Sequence, residues 1–315
     1  MGKRKLRGRN ISGLLLLDKP HGVTSNKVLQ EVKKIFFAQK AGHTGSLDPI
    51  ATGILPICFG EATKFSQFLL NTDKKYQIHC KLGVTTTTQD SQGETVAACE
   101  VANFSTKHIE SKLLELTGKQ QQIPPMHSAI KINGQPLYKL AHQGKEIARK
   151  PRPIEVYDFK LVKKLEHDVL LLELHCSKGT YARTLIADLG ESLGCGAHVA
   201  GLRRTALSPF KIEETVTLDT IKTLLHKAED NFIELNKLIL PTDETLRDTR
   251  KIYLNQDEKF YISQGQAIRV SEPTEDNIVR MYFEQSFIGI GKFLDDGRLS
   301  PKRLISHQRK SLPAS

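Results

Sequence analysis

The sequence has no tryptophan and no apolar run that could cross a membrane. The longest obvious run, Leu14-Leu15-Leu16-Leu17, falls far short of the roughly 20 residues a spanning helix needs. Its five cysteines (Cys58, Cys80, Cys99, Cys176 and Cys195) are odd in number, scattered and without a C-x-x-C pair. That fits reduced structural thiols and argues against a disulfide framework. Cys195 and His198 have a C-x-x-H spacing, but no second pair follows to complete a zinc site. There is no phosphate-binding glycine loop, no metal-ligand spacing, no internal repeat and no low-complexity tract. Neither a metal nor a cofactor is expected. The basic start, Lys3 to Arg9, moves too quickly through too short an apolar stretch to read as a signal peptide, so a cytoplasmic protein is expected.

Positive charge is what the chain has in excess. Lys and Arg number 46 against 35 Asp and Glu, a net charge of +11, which favours an anionic partner and nucleic acid first. The same balance also serves plain solubility. A length of 315 residues suggests about two domains and a real core.

The stretch from Gly42 to Gly53, GHTGSLDPIATG, stands at the centre. Its glycines let the backbone bend or approach another group, and Pro49 fixes the dihedral just after the acid Asp48. The residue before a proline is pushed away from helix, so Asp48 sits extended in a stiff loop. A lone carboxylate so held suits a catalytic acid, base or nucleophile. An ordinary surface loop with a capping Asp has the same composition.

Around this loop the pattern is mixed. Leu14 to Leu17 read as a buried strand. Thr24-Ser25-Asn26 is an N-cap cluster for a helix burying Val28, Leu29, Val32, Ile35 and Phe36. From Lys75 to Gly83 the residues alternate, placing Tyr76, Ile78, Cys80 and Leu82 on one strand face. Thr85 to Thr88 with Asp90 read as polar loop or strand end. Ser105 or Thr106 caps a helix closed by Gly118. Leu170 to Cys176 is another alternating strand, leading through Ser177 to Arg183 into a helix that stops at Gly194. Between Ile123 and Pro153 lies a basic segment that includes His127, Lys131, Tyr138, Lys139, His142, Arg149 and Arg152, signalled as a loop by Pro124-Pro125 and Asn133-Gly134. It could clamp an RNA backbone or be a solvated insertion. Residues 217 to 240 are helical, 241 to 250 read as a linker, and short strands at 267–270, 278–283 and 287–293 form a small β module.

Five motifs in this order resemble the bacterial tRNA pseudouridine-55 synthase family of the TruB type over nearly the whole chain. They are GLLLLDKP (from Gly13), GHTGSLDP (from Gly42), DKKY (from Asp73), SKGTYART (from Ser177), and GAHV (from Gly196) with Leu202-Arg203-Arg204. The resemblance implies an α+β fold: a mixed, largely antiparallel sheet with an inserted RNA-gripping loop, plus a small C-terminal β module that is PUA-like. It divides the chain into a basic flexible arm (1–10), a catalytic domain (11–245, insertion about 124–152) and an RNA-binding module (246–315). It implies isomerisation of uridine-55 in the T-loop of tRNA, with the T-arm as partner; a monomer is the default expectation, which the resemblance does not supply.

The resemblance also implies roles. Asp48 is the nucleophile, attacking the sugar C1′ or C6 of the base. Arg183 pairs with it. Tyr76 stacks on the flipped base and takes the C5 proton, Tyr181 closes the pocket, and Leu202 packs against the base. His43 fills the gap in the RNA stack or meets a neighbouring flipped base, while Lys19 and Pro20 brace the pocket. Two other functions remain: an RNA chaperone that needs the basic surface but not Asp48, and a nucleoside hydrolase, for which no second acid stands out.

Overall fold

The structure, a computed structural model, describes residues 7–132, 134–141, 143–227, 232–271, 274 and 276–306. Most of the expected basic arm (1–6), the turn residue Asn133 and the basic-segment residue His142 lie outside the described residues.

The leucine run explains the core. Strand β1 (Gly13–Lys19) is buried on both faces, so it cannot alternate with polar residues. Leu15 and Leu17 face one cluster with Val28, Leu29, Val32 and Phe36 of helix α1 (Ser25–Ile35) and its C-terminal end. Leu14 and Leu16 face another, with Ile54, Leu207 and Phe210. Two strands follow, β2 (Ala41–His43) and β3 (Ala51–Phe59). After the short helix α2 (Ser66–Leu70) comes β4 (Lys74–Leu82), which carries the alternating face read from the sequence. The threonine run is not simply loop: β5 (Val84–Thr86) pairs antiparallel with β6 (Thr95–Ala98). Helix α3 (Thr106–Glu115) is capped by Ser105, which accepts from the His108 N–H at 3.2 Å.

Strand β7 (Gly118–Gln122) precedes the basic segment. That segment folds in part, with the hairpin β8 (Lys131–Ile132) and β9 (Gln135–Pro136) and the short helix α4 (Leu137–Ala141), which buries Leu137 and Leu140. Strands β10 (Arg152–Lys164) and β11 (Val169–Cys176), helix α5 (Ala182–Ser192) and strand β12 (Ala197–Leu207) complete the frame, followed by β13 (Phe210–Lys211) and β14 (Val216–Thr217). The sheet runs β14-β1-β3-β12-β4-β11-β10-β7, with β2 on β3 and β13 on β12. Only β1/β14 and β3/β12 are parallel, so the sheet is mixed and largely antiparallel. Two helices, α6 (Leu218–Lys227) and α7 (Ile233–Lys237), lie where one helical stretch was expected.

The C-terminal module is a four-stranded sheet, β15 (Lys251–Leu254), β16 (Val279–Phe283), β17 (Ser286–Phe293) and β18 (Leu299–Leu304), with helix α8 (Gln256–Ser263). Of the expected strand 267–270, only Ile268 makes a β-bridge, to Leu299. The expected linker 241–250 is a docked connector. Leu246 is buried with Phe65, Tyr282 and Phe287, and Arg280 donates to the carbonyls of Arg247 and Thr249 at 2.9 and 2.8 Å. Charge misled the sequence reading there, because the guanidinium serves backbone carbonyls instead of water. Arg9 also lies against the body: its guanidinium sits 4.0 Å from the centre of the Phe232 ring and 2.5 Å from Asn236 Oδ1. No helix among the described residues is long and apolar enough to cross a membrane.

One glycine is needed for the β3/β12 seam. Gly53 has φ +100°, and a Cβ there would stand 2.2 Å from the carbonyl oxygen of Arg204. Gly53→Ala is expected to destabilise the protein by roughly 2–4 kcal/mol. Urea melts with an unchanged m-value check this.

Candidate active site

The parallel β3/β12 pair beside β4 brings three distant segments together. Leu202 lies opposite Ala51 on one side and Ile78 on the other, while Arg204 lies between Gly53 and Tyr76. The loop joining β2 to β3, which carries Asp48, therefore opens onto the Tyr76 end of β4.

That loop is held at several points. Ser25, the first residue of α1, is buried. Its Oγ accepts from the Leu47 N–H at 2.8 Å and donates to the Leu47 carbonyl at 2.9 Å. The helix N-cap itself is Thr24, so the expected capping cluster splits into a cap and a loop anchor. Lys19 is fully buried and donates to the carbonyls of Val23 at 2.7 Å, Pro20 at 2.8 Å and Pro49 at 3.4 Å. Burial pulls its ammonium down to about 8; the neighbouring Arg204 adds to this and the Asp48 charge opposes it. Arg204 Nη2 donates to the Gly45 carbonyl at 2.7 Å. Ser25→Ala would free both Leu47 backbone groups. A loss of about 1–3 kcal/mol is expected, with kcat falling more than RNA affinity, as thermal melts and single-turnover assays would show.

Asp48 pairs with Arg183 across 3.0 Å, Oδ2 to Nε; the aspartate side chain is 40% exposed and the arginine 6%. One partner is thus open to solvent and substrate and the other is fixed. Arg183 is fixed because both of its Nη atoms are also engaged. Nη1 donates to the Thr88 carbonyl at 2.9 Å and Nη2 to the His127 carbonyl at 2.7 Å, while Asp90 Oδ2 lies 3.5 Å from Nη1. Asp90 is buried and anchored by the Thr88 hydroxyl at 2.6 Å and the Gln92 N–H at 3.1 Å. Burial raises the Asp48 pKa; Arg183 opposes it most strongly, Asp90 adds to the rise, and Lys19 and His127 lower it.

Tyr76 lines the same cluster as Leu47 and Leu202. Burial raises its pKa, opposed by the charge of Arg204, its cross-strand neighbour on β12. Tyr181 precedes α5. Its N–H donates to Gln122 Oε1 at 2.8 Å, its carbonyl accepts from Gln122 Nε2 at 3.2 Å, and burial raises its phenol pKa, with the charges of Arg183 and Asp48 also acting on it. His43 ends β2. Burial and then Arg204 lower its pKa, which favours the neutral ring, and its Nδ1 is buried with no hydrogen-bond partner.

The structure thus sets Asp48 on Arg183, places Tyr76 and Leu202 in the cluster that holds Leu47, and brings Tyr181 within reach of the Arg183 and Asp48 charges, with His43 on the strand leading into the Asp48 loop. Sequence reasoning missed Asp90, Ser25 and Arg204. Asp90 lay inside a threonine-rich loop signal. Arg204 carried a usable signal: in a strand, two adjacent arginines must face opposite sides.

The fold is shared by known proteins. Among solved structures, a Cbf5–Nop10–Gar1 complex aligns with a TM-score of 0.72 at 26% identity, over 93% of this chain and 84% of that one. An H/ACA ribonucleoprotein bound to a substrate RNA containing 2′-deoxyuridine aligns at 0.71 and 23% identity, a likeness of fold alone. The model for the N-terminal domain of TruB family pseudouridylate synthases matches residues 33–182, so this mixed sheet is that of a pseudouridine synthase. A tRNA pseudouridylate synthase B C-terminal domain model matches 183–247, and a pseudouridine synthase II TruB C-terminal model matches 251–305. The protein named tRNA pseudouridine synthase B from Shewanella amazonensis is 47% identical over 96% of this chain and 97% of its own length. Its namesake from Aliivibrio salmonicida is 48% identical over 96% of both. This chain belongs to the TruB family.

Proposed function

We propose that this protein isomerises uridine-55 in the T-loop of tRNA to pseudouridine, with Asp48 as the nucleophile. The observation that carries the reading is the pairing of a solvent-accessible Asp48 with a buried Arg183 whose two Nη atoms are held by backbone carbonyls. Reaching the buried uridine means flipping it out, which costs a few kcal/mol. The positive charge of the chain and the basic segment 124–152 offset that cost through phosphate contacts.

Arg183 keeps Asp48 ionised and aimed against the effect of burial. Asp48 then attacks C1′ of the sugar or C6 of the base as the N1–C1′ bond gives way. The base turns and C5 bonds to C1′, and the bond that Asp48 had formed breaks, its electron pair returning to the carboxylate. Tyr76 stacks on it and takes the C5 proton. Leu202 packs against the base and Tyr181 closes the pocket. His43, neutral and with Nδ1 unpartnered, fills the gap in the RNA stack or meets a neighbouring flipped base. Residues 11–245 form the catalytic domain and 246–315 a PUA-like RNA-binding module that adds grip on the tRNA. The working protein is a monomer in the cytoplasm, and the isomerisation is redox-neutral and draws on no cofactor.

Tyr76→Phe keeps the stacking ring and removes the phenol. It is expected to slow single-turnover pseudouridine formation by about 10²-fold or more, with RNA affinity little changed. A near-normal rate would remove the phenol from the proton step.

A further inference from the structure

Consecutive arginines on β12 have separate fates. Arg203 takes Asp18 in two hydrogen bonds of 2.7 and 3.1 Å and stays 38% exposed. Arg204 turns to the other face and is only 2% exposed. Its Nε and Nη2 donate to the Ile54 carbonyl at 2.9 and 2.6 Å, and Nη2 also reaches the Gly45 carbonyl. Tyr76 lies directly opposite on β4, and the charge of the guanidinium acts on its phenol. A buried guanidinium is expensive to desolvate without a carboxylate partner. Carbonyls of the Asp48 loop and of β3 with one phenol are all that oppose this charge.

We propose that Arg204 is a positioning residue for Tyr76, holding the phenol oxygen in place and stabilising negative charge on it during removal of the C5 proton. This rests on the assignment of Tyr76 to that step. An arginine only donates hydrogen bonds, so toward Arg204 the phenol oxygen can only be the acceptor. That leaves its second lone pair free for the base. Burial alone makes the phenolate scarce, and the guanidinium works against that scarcity. In the step, the phenol has first released its proton to water. The C5–H bond then breaks, its proton passes to the phenolate oxygen, and its electron pair restores the C5=C6 double bond as the second C6–N1 bond pair moves onto N1, or as the Asp48 oxygen leaves C6 if that was the atom attacked. N1 takes a proton from solvent, so the isomerisation changes neither the proton count nor the oxidation state of the RNA. The same guanidinium binds the Gly45 carbonyl in the Asp48 loop, so one side chain sets the spacing between nucleophile and proton acceptor.

The test is a double-mutant cycle in the full chain with RNA deuterated at uracil C5. Arg204→Lys keeps a cation for the Gly45 and Ile54 carbonyls; Arg204→Gln, which keeps an N–H donor, is the second variant, and both are checked by thermal melting. In the Tyr76 background, Arg204→Lys is expected to lower the single-turnover rate about 30-fold and to raise the C5 deuterium isotope effect from near 1 to about 3 or more. RNA affinity should stay within about twofold of wild type. In the Tyr76→Phe background the same substitution should add little, because the residue it acts through is gone. Placing 3-fluorotyrosine, a more acidic phenol, at position 76 should restore part of the Arg204→Lys rate. Equal losses in both backgrounds, with no isotope effect and no rescue, would overturn the proposal and leave Arg204 a purely structural residue. A normal rate for Tyr76→Phe alone would instead remove the assignment on which it rests.

Discussion

Asp48→Asn is expected to stop turnover, lowering pseudouridine formation by at least about 10⁴-fold while the protein stays folded and binds RNA. The amide has nearly the shape of the carboxylate, so the loop anchors from Ser25, Lys19 and Arg204 remain, all of them bonded to backbone. Arg183 also keeps its two carbonyl partners and Asp90. What disappears is the nucleophilic oxygen. Tritium at uracil C5 of unmodified tRNA reads the whole sequence of steps, since it leaves only after the base has been detached, turned and rejoined. Continued rapid tritium release from the Asn variant would sink the nucleophile assignment. Retained RNA affinity in the same variant separates the catalytic role from any RNA-folding activity of the basic surface.

The second large effect is expected at Arg183. Arg183→Met should lower kcat/KM by about 10³-fold. It removes the strongest influence holding the Asp48 carboxyl down against burial. The sign follows directly. Asp48 acts ionised, and its folded pKa is raised above the ordinary value of about 3.9, so activity is lost as pH falls through that raised value. Without Arg183 the midpoint moves further up, and the acid limb of the pH–rate profile should shift to higher pH. Stability suffers as well, because buried Asp90 loses its cation; removing one partner of a buried pair costs about 3–5 kcal/mol. Arg183→Lys should recover only part of either loss. One ammonium cannot serve Asp48, Asp90 and the carbonyls of Thr88 and His127 from one rigid fork. An acid limb that stays in place in Arg183→Met would separate the ion pair from the chemistry.

The residues proposed to carry the chemistry stood out in the sequence because their constraints are local. Glycines and a proline frame Asp48, strict alternation sets the face of Tyr76, and a strand-to-helix junction precedes Arg183. The residues that hold them in place were not, because their constraints come from topology. Lys19 reads as a surface charge until β1 is known to be buried on both faces. Asp90 reads as loop until the Arg183 guanidinium arrives from nearly a hundred positions away. Arg204 could not be told from Arg203 without strand β12, which the glycine-rich turn before it disguised. Ser25 looked like one candidate cap among three, and only its contact with Leu47 shows that Thr24 does the capping. The connector 241–250 was misread for a related reason, since its own charges pair with side chains and its carbonyls take Arg280 from β16.

The most direct measurement is to incubate unmodified tRNA with the purified protein in the presence of a chelator and no added cofactor. The RNA is then digested to nucleosides and the modified position mapped. The account expects pseudouridine at position 55 and nowhere else, no free uracil, and none of either product with Asp48→Asn. Release of free uracil, or unmodified uridine at 55 after the intact protein has bound the tRNA, would contradict it.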